Sequence, residues 1–306
     1  MYAIGLIMIP LKAPCQSVFV SSYYQGTVIS ISPDGTQSIF CSGLSTPEGI
    51  AFDSSGNLYV AQIGAANGNY GSIVKIGPGG VQSTFASGLN SPVALAFDSA
   101  GNLFVDSVSG GTISKITPDG RQTVFASGLS SLEGMAVDNA GNLFVVSYGY
   151  GSIYKFTPGG VRTIFASGLQ SPYGIAIDQQ NNVFEADDAS SSINKFTPSG
   201  TKSTVGSNLR NVYNCMAVDG AGNLLVGQWG TGIGYDGSIV KLTPGGVQSM
   251  FASGLYSPTA MALPTPEPSS FRLLSAAIAV LVSCACRRNF LNSTVKALEK
   301  RAKGRH

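Results

Sequence analysis

The feature that most constrains this chain is a phrase that keeps returning. Phe-Ala-Ser-Gly-Leu begins at Phe85, Phe125, Phe165 and Phe251, with variants at Phe40 (FCSGL) and Val205 (VGSNL). Asp-x-x-Gly-Asn-Leu begins at Asp53, Asp98, Asp138 and Asp219, with a looser copy at Asp178. Thr-Pro-Asp/Gly-Gly recurs at 117–120, 157–160 and 243–246, with relatives at 32–35, 77–80 and 197–200. Repetition with a period of 40 to 46 residues describes a row of like units, each too small to bury its own faces.

Within a unit the turn residues mark four short strands. In the third unit these are predicted over 93–97, 103–107, 112–116 and 122–125, separated by Asp-Ser-Ala-Gly-Asn, Ser-Gly-Gly and Thr-Pro-Asp-Gly. Each turn places Gly where a positive φ costs little. A four-stranded sheet left alone is wet on both sides, and a closed ring of such sheets removes the problem. The chain ends specify the closure. Residues 17–22 align with a second strand, whereas 257–263 align with a first strand. One unit is therefore stitched from both ends, and the expected fold is an all-β, six-bladed β-propeller over residues 17–263.

Composition agrees: 39 Gly and only 11% charged residues suit short strands and tight turns. Roughly 250 residues bury a sizeable core without disulfides. The five cysteines (Cys15, Cys41, Cys215, Cys284, Cys286) match no zinc or disulfide spacing. Cys41 and Cys215 stand where the repeat has Ala and Gly, and read as small buried thiols. The net charge of +2 hides an asymmetry. Residues 17–263 hold 9 Lys/Arg against 14 Asp/Glu, and residues 264–306 hold 8 against 2. An acidic body excludes nucleic acid, whose phosphates require a basic face.

With these residues in view, the units resemble NHL-type repeats and the wider six-bladed family that includes calcium-dependent gluconolactonases and streptogramin lyases. The Ser-Pro-Tyr-Gly-Ile-Ala-Ile-Asp at 171–178 is close to the family pattern. The resemblance covers roughly 17–263 and implies the fold; activity depends on sites grafted onto it.

The two ends read differently. Residues 264–270 form a Pro/Ser linker carrying Pro266, Glu267 and Pro268, followed by an apolar run over 271–286 and then Arg287-Arg288. This resembles a PEP-CTERM sorting signal. It implies a short transmembrane helix over 271–288, an exosortase-like processing enzyme as partner and a place at the cell envelope. The run is short for a span, and Arg272 has to snorkel to the interface. Residues 289–306 form a basic tail, longer than such signals usually carry, that stays on the cytoplasmic side. The other reading of the run is a helix docked on the propeller. Residues 1–16 read as a degenerate or truncated signal peptide: apolar from Ala3 to Leu11, then Ala13-Pro14-Cys15, with no preceding base.

A side chain repeated in every blade holds the blade together, whereas a functional one belongs where the blades differ. On that test Asp53, Asp98, Asp138, Asp178 and Asp219 are turn residues that accept their own backbone N–H groups. The position before the Gly that opens each first strand varies: Glu48, Val93, Glu133, Tyr173, Asn214 and Thr259. These six are expected to ring the channel mouth. Their oxygens are of the kind Ca2+ favours, and Glu48, Glu133 and Asn214 are the candidate metal ligands. The gluconolactonase resemblance points the same way, since that pattern puts an Asn and an Asp ligand at this position, and Asn214 matches. Val93 indicates that nothing polar is required there.

The loops between second and third strands share that face and carry Tyr23, Tyr24, Tyr70, Tyr148, Tyr150, Trp229 and Tyr235. Rings beside small polar groups suit a glycan or an extracellular protein, with Tyr173 and Thr259 contributing from the ring; the alternative is that each Tyr packs on the next blade. Streptogramin-lyase chemistry is excluded because it uses histidine and this chain has only His306. The expected function is a binding or scaffold module at the cell envelope, and the alternative is a calcium-dependent lactone hydrolase.

Overall fold

The structure, a computed structural model, describes residues 16–64, 71–231 and 234–264. The leader, Tyr70, the Pro266-Glu267-Pro268 motif, the expected helix over 271–288 and the tail over 289–306 lie outside the described residues. No helix among the described residues is long and apolar enough to cross a membrane.

Six four-stranded antiparallel sheets make six blades. Blade 1 is the stitched one: its innermost strand is Pro258–Ala262, hydrogen-bonded to Val18–Ser22. Blade 2 runs from Pro47–Phe52 to Gln82–Leu89, blade 3 from Leu95–Phe97 to Gln122–Ala126 and blade 4 from Leu132–Val137 to Arg162–Ser167. Blade 5 runs from Pro172–Ile177 to Lys202–Gly206, and blade 6 from Met216–Val218 to Gln248–Leu255. Between second and third strands, blades 3 and 4 insert single 3-10 turns, Val108–Gly110 and Tyr148–Tyr150.

Burial explains the closure. Six separate apolar clusters fill the six blade–blade contacts, and one joins Leu225 and Ile239 of blade 6 to Val18, Val20 and Met261 of blade 1. Second strands alternate little because both their faces are covered; Leu103, Phe104 and Val105 are all at or below 2% exposure.

The repeated Phe has a concrete task. Phe40, Phe85, Phe125 and Phe165 meet Phe19, Tyr59, Phe104 and Phe144 edge-on, with centroids 4.9–5.0 Å apart. Lys75, Lys115 and Lys155 lie over the last three of those rings at 5.2–5.5 Å. Each such contact adds about 0.5–1.5 kcal/mol beyond area burial. The Leu that ends the phrase fastens the loop between the second and third strands of its own blade: Leu129 N–H donates to Gly111 O and Leu169 N–H to Gly151 O, both at 3.0 Å. Gly111 and Gly151 sit at φ 55° and 54°, and a Cβ on either would strike that leucine's carbonyl oxygen.

Because neighbouring strands are antiparallel, two sets of connections gather at opposite ends. The Asp-x-x-Gly-Asn and Thr-Pro-x-Gly turns share the lower end. The loops between second and third strands and the links from blade to blade share the upper end.

Candidate functional site

Backbone and side-chain bonds draw the six variable positions together at the upper end of the channel. Gly49 N–H donates to Val93 O at 2.7 Å, and Asn214 Nδ2 donates to Glu133 O at 2.9 Å. Thr259 Oγ1 donates to Pro47 O at 3.2 Å, and Ser21 Oγ to Glu48 O at 2.8 Å. The innermost strands approach so closely that a Cβ at Gly134 would lie 2.6 Å from Tyr173 O, and one at Gly174 2.5 Å from Tyr213 O. Blade 6 breaks the rule with Cys215 and compensates. Its second strand carries Gly227, where an added Cβ would collide with the Cys215 sulfur. Cys215 and Cys41 are buried free thiols with proton affinities raised by burial.

Three blades deliver a carboxyl to this mouth. Glu48 from blade 2 is pushed up to about 8 by burial, reinforced by the charges of Glu133 and Asp106. Glu133 from blade 4 is raised to about 7 by burial. The third is Asp106, at 0% exposure near the end of the second strand of blade 3. Its Oδ1 accepts the N–H groups of Val93 and Ala94 at 2.9 and 2.7 Å. Burial raises it to about 8 against the lowering effect of those two bonds. Its Oδ2 has no partner among the described residues.

Asp106 corrects two expectations. The first strand of blade 3 begins at Leu95 rather than 93, and the Val93 and Ala94 amides go to the Asp106 carboxyl. The apolar Val93 does not leave blade 3 without a polar group at the mouth, since Asp106 supplies one through the Val93 backbone. The equivalent positions are Ser21, Ala61, Val146, Ala186 and Gly227. Scanning second strands for differences between blades would have found it.

The rest of the rim is aromatic. Tyr148 meets Tyr173 at 4.9 Å, Tyr173 meets Tyr213 at 5.0 Å, and Tyr213 meets Trp229 at 5.4 Å. From Trp229 the series runs to Tyr24 at 6.2 Å, and from Tyr24 to Tyr23 at 5.0 Å and Tyr256 at 6.2 Å. Tyr256 meets Tyr235 at 5.1 Å, and the Tyr235 hydroxyl accepts a bond from Gln25 Nε2 at 2.9 Å. Eight rings thus form one continuous arc over blades 4, 5, 6 and 1. Tyr24 and Tyr235 are 62% and 66% exposed. Tyr213 and Tyr256 were missed because they lie on blade-to-blade links, not in the loops first singled out. Tyr150, 63% exposed, does not join the arc. The arc abuts the acidic half: Glu48 helps raise the Tyr23 phenol, and Glu133 those of Tyr173 and Tyr213, after burial in each case.

The lower turns behave as their repetition predicts. In all five copies the Asp Oδ1 accepts the N–H groups two and four residues on, and Oδ2 accepts the Asn side-chain amide, at 2.7–3.0 Å. Lys115 and Lys241 add ion pairs to Asp98 and Asp219 at 3.7 and 3.9 Å.

Below the mouth the channel narrows to a cavity of about 50 Å3 lined by Asn214 and by first-strand residues such as Leu95, Met135, Ile175 and Met261, with a mostly polar wall, so the mouth is a shallow site. A larger cavity of about 280 Å3 opens at the lower end between blades 5 and 6, but Asp178 and Asp219 on its wall are committed to their own turns. Calcium takes 6–8 oxygens at about 2.3–2.6 Å. Among the described residues no three His, Cys, Asp or Glu side chains gather around one metal position, so Asp106 does not join Glu48 and Glu133 in a cage. The Asn214 amide nitrogen is committed to Glu133 O. Glu48, Glu133 and Asn214 therefore offer two carboxyls and one amide oxygen at the mouth.

No protein-family model matches the sequence, and no curated protein matches it. Solved structures do match in fold. A chain of a nidogen/laminin complex is 18% identical with a TM-score of 0.71, over 83% of this chain and 100% of that one. Virginiamycin B lyase from Staphylococcus aureus is 16% identical with a TM-score of 0.62, over 83% and 93%. A gluconolactonase from Xanthomonas campestris is 18% identical with a TM-score of 0.60, over 69% and 78%. The chain is an all-β six-bladed propeller, similar in fold both to a propeller seen in a protein complex and to lactonase- and lyase-bearing ones.

Proposed function

We propose that this propeller is a binding module at the cell envelope and that the aromatic arc is its contact surface for a glycan or an extracellular protein. The observation that carries the reading is the continuity of the arc. Eight rings on four blades touch in series, around a mouth whose residues differ from blade to blade. Rings held by one another present a large contact area at little cost in side-chain entropy. The fold likeness to a chain from a nidogen/laminin complex supports a propeller that meets a partner protein. Residues 264–306, with Pro266, Glu267, Pro268 and the run over 271–288, would place the module at the membrane through an exosortase-like step. The sequence resemblance supports that part of the reading.

A glycan array and an envelope-protein pull-down, run with wild-type protein and with Tyr24→Ala/Trp229→Ala, test the surface. Binding that survives both substitutions defeats the arc reading. Fusing residues 264–306 to a soluble exported reporter tests sorting, and a reporter that stays soluble and uncleaved counts against it. The alternative, a calcium-dependent lactone hydrolase at Glu48, Glu133 and Asn214, requires calcium to raise the melting temperature at millimolar concentration.

A further inference from the structure

The contact between blades 5 and 6 departs from the packing that the repeat sets elsewhere. In blades 1 to 4 the Phe of the phrase meets the aromatic ring of the second strand edge-on. Two of these rings also reach the next blade: Phe125 lies 5.9 Å from Phe156, and Phe165 lies 5.9 Å from Phe196. Blade 5 has Val205 in place of that Phe, and blade 6 has Leu242 where blades 4 and 5 have Phe156 and Phe196. Phe184, the fifth ring of the second-strand series, therefore faces Val205 and Leu242 instead of a ring. The turn tips differ as well. Asn139 ties blade 4 to blade 5, its N–H donating to Asn181 Oδ1 and its side-chain amide to Gln179 O, both at 3.0 Å. Blade 6 presents Gly220 and Gly222 where blade 5 presents Gln179 and Asn181, and a Cβ on Gly220 would meet nothing within 4 Å. The cavity of about 280 Å3 lies in this gap, with Phe184, Val205, Val218, Leu224, Leu242 and Pro244 as its apolar wall.

We propose that this gap binds a small aromatic carboxylate, whose ring takes the place of the absent phenyl and whose head group bonds to Lys195. The site lies at the opposite end from the aromatic arc and stands whether or not the arc is a contact surface. Size selects a single ring. Benzene enters apolar cavities of about 150 Å3, and about 280 Å3 leaves room for a head group besides. Shape agrees, because a ring seated here restores the dispersion contacts that the wall of a void forfeits and gives Phe184 the aromatic edge its four counterparts have. The head group is selected by which polar groups on the wall remain uncommitted. Asp178 and Asp219 each accept three bonds from their own turns, and Asp219 also pairs with Lys241 at 3.9 Å. A cationic ligand would find both carboxylates taken. Lys195 lines the same cavity, half-buried over the Phe184 ring at 5.3 Å, and has no ion pair among the described residues. Its ammonium is the charge left over, and a carboxylate is its complement.

Full-length protein is titrated calorimetrically with benzoate, with neutral benzyl alcohol and with acetate. Benzoate is expected to bind about tenfold tighter than benzyl alcohol and to raise the melting temperature, while acetate shows no binding. Val205→Phe supplies the ring from the chain itself, so it should abolish benzoate binding and melt higher than wild type. Val205→Leu fills less of the gap and serves as the second variant, weakening binding without abolishing it. Lys195→Gln should bring benzoate down to the affinity of benzyl alcohol, with the melting curve confirming the fold of each variant. Benzoate that binds both Val205 variants as it binds wild type sits elsewhere and overturns the site. Equal affinity of wild type for benzoate and benzyl alcohol overturns the role of Lys195 and with it the ligand class. Acetate binding as tightly as benzoate overturns the ring, and no benzoate binding at millimolar concentration overturns the proposal outright.

Discussion

Asp98 and Asp106 belong to one blade, a strand apart, and they live in opposite circumstances. Asp98 at the lower end accepts three hydrogen bonds from its own turn and pairs with Lys115. Asp106 at the upper end is fully buried, anchored by one oxygen and without a partner among the described residues at the other. The lower carboxylate is a fastener that four other blades repeat. The upper one occurs once, and the fold pays for it. A propeller thus separates its tasks by end: repetition below makes the blades alike, and divergence above makes them specific.

The comparison breaks first, if it is wrong, on pH. A carboxyl that holds its proton more tightly when folded contributes its full stability below the unfolded pKa, 4.5 for Glu and 3.8 for Asp. That contribution is lost as pH rises through about 7 for Glu133 and about 8 for Glu48 and Asp106. Unfolding free energy should therefore fall by several kcal/mol between pH 4.5 and 9, less than the full sum of the three shifts because solvent reaches Glu48 and Glu133. Glu48→Gln/Asp106→Asn/Glu133→Gln should remove most of that slope in urea titrations at each pH. A slope unchanged in the triple variant would mean the upper carboxyls are no more strained than the lower ones.

Next in size is Asp98→Ala, which strands two backbone N–H groups and an amide and should cost about 2–4 kcal/mol at pH 7. Asp106→Asn keeps an oxygen for Val93 and Ala94 and should be neutral or stabilising under the same conditions. Equal losses would erase the distinction between the ends. The smallest effect belongs to Tyr24→Ala. At 62% exposure its removal should move stability by about 0.5 kcal/mol or less, even as it cuts binding. A larger loss would make the arc a structural belt.

Most of the ring was legible in the sequence because its causes are local. The Phe, Gly and Asp of each phrase act within their own blade or on the next one, so their meaning repeats with them. The stitched blade was legible for the same reason, as a first strand displaced to 257–263. Less of the rim could be read. Glu48, Glu133, Asn214 and Thr259 announce themselves by breaking a pattern at one position, but Asp106 reaches the same place from another strand, which one-position reading does not see. Cys215 and Gly227 make sense only as a pair across two strands. Glu185 is similar: it stands where five blades carry Val20, Val60, Val105, Val145 and Val226, and it is bonded to Asn194 at 2.9 Å. Burial raises it to about 7.

The stitched blade also sets an order of events in folding. Five sheets pair residues close along the chain, and each can form as soon as its own stretch is present. The sixth joins Ser21 to Ala260 across 239 residues. Loop-closure entropy grows only slowly with such a span, but a contact this distant is gained late, after local pairing has shortened the search. Until then the Val18–Ser22 strand has an open edge and blade 6 an uncovered face, the state in which one molecule's last strand can complete another's first blade. Refolding should therefore yield linked oligomers as concentration rises, with the joining step, not blade formation, setting the pace.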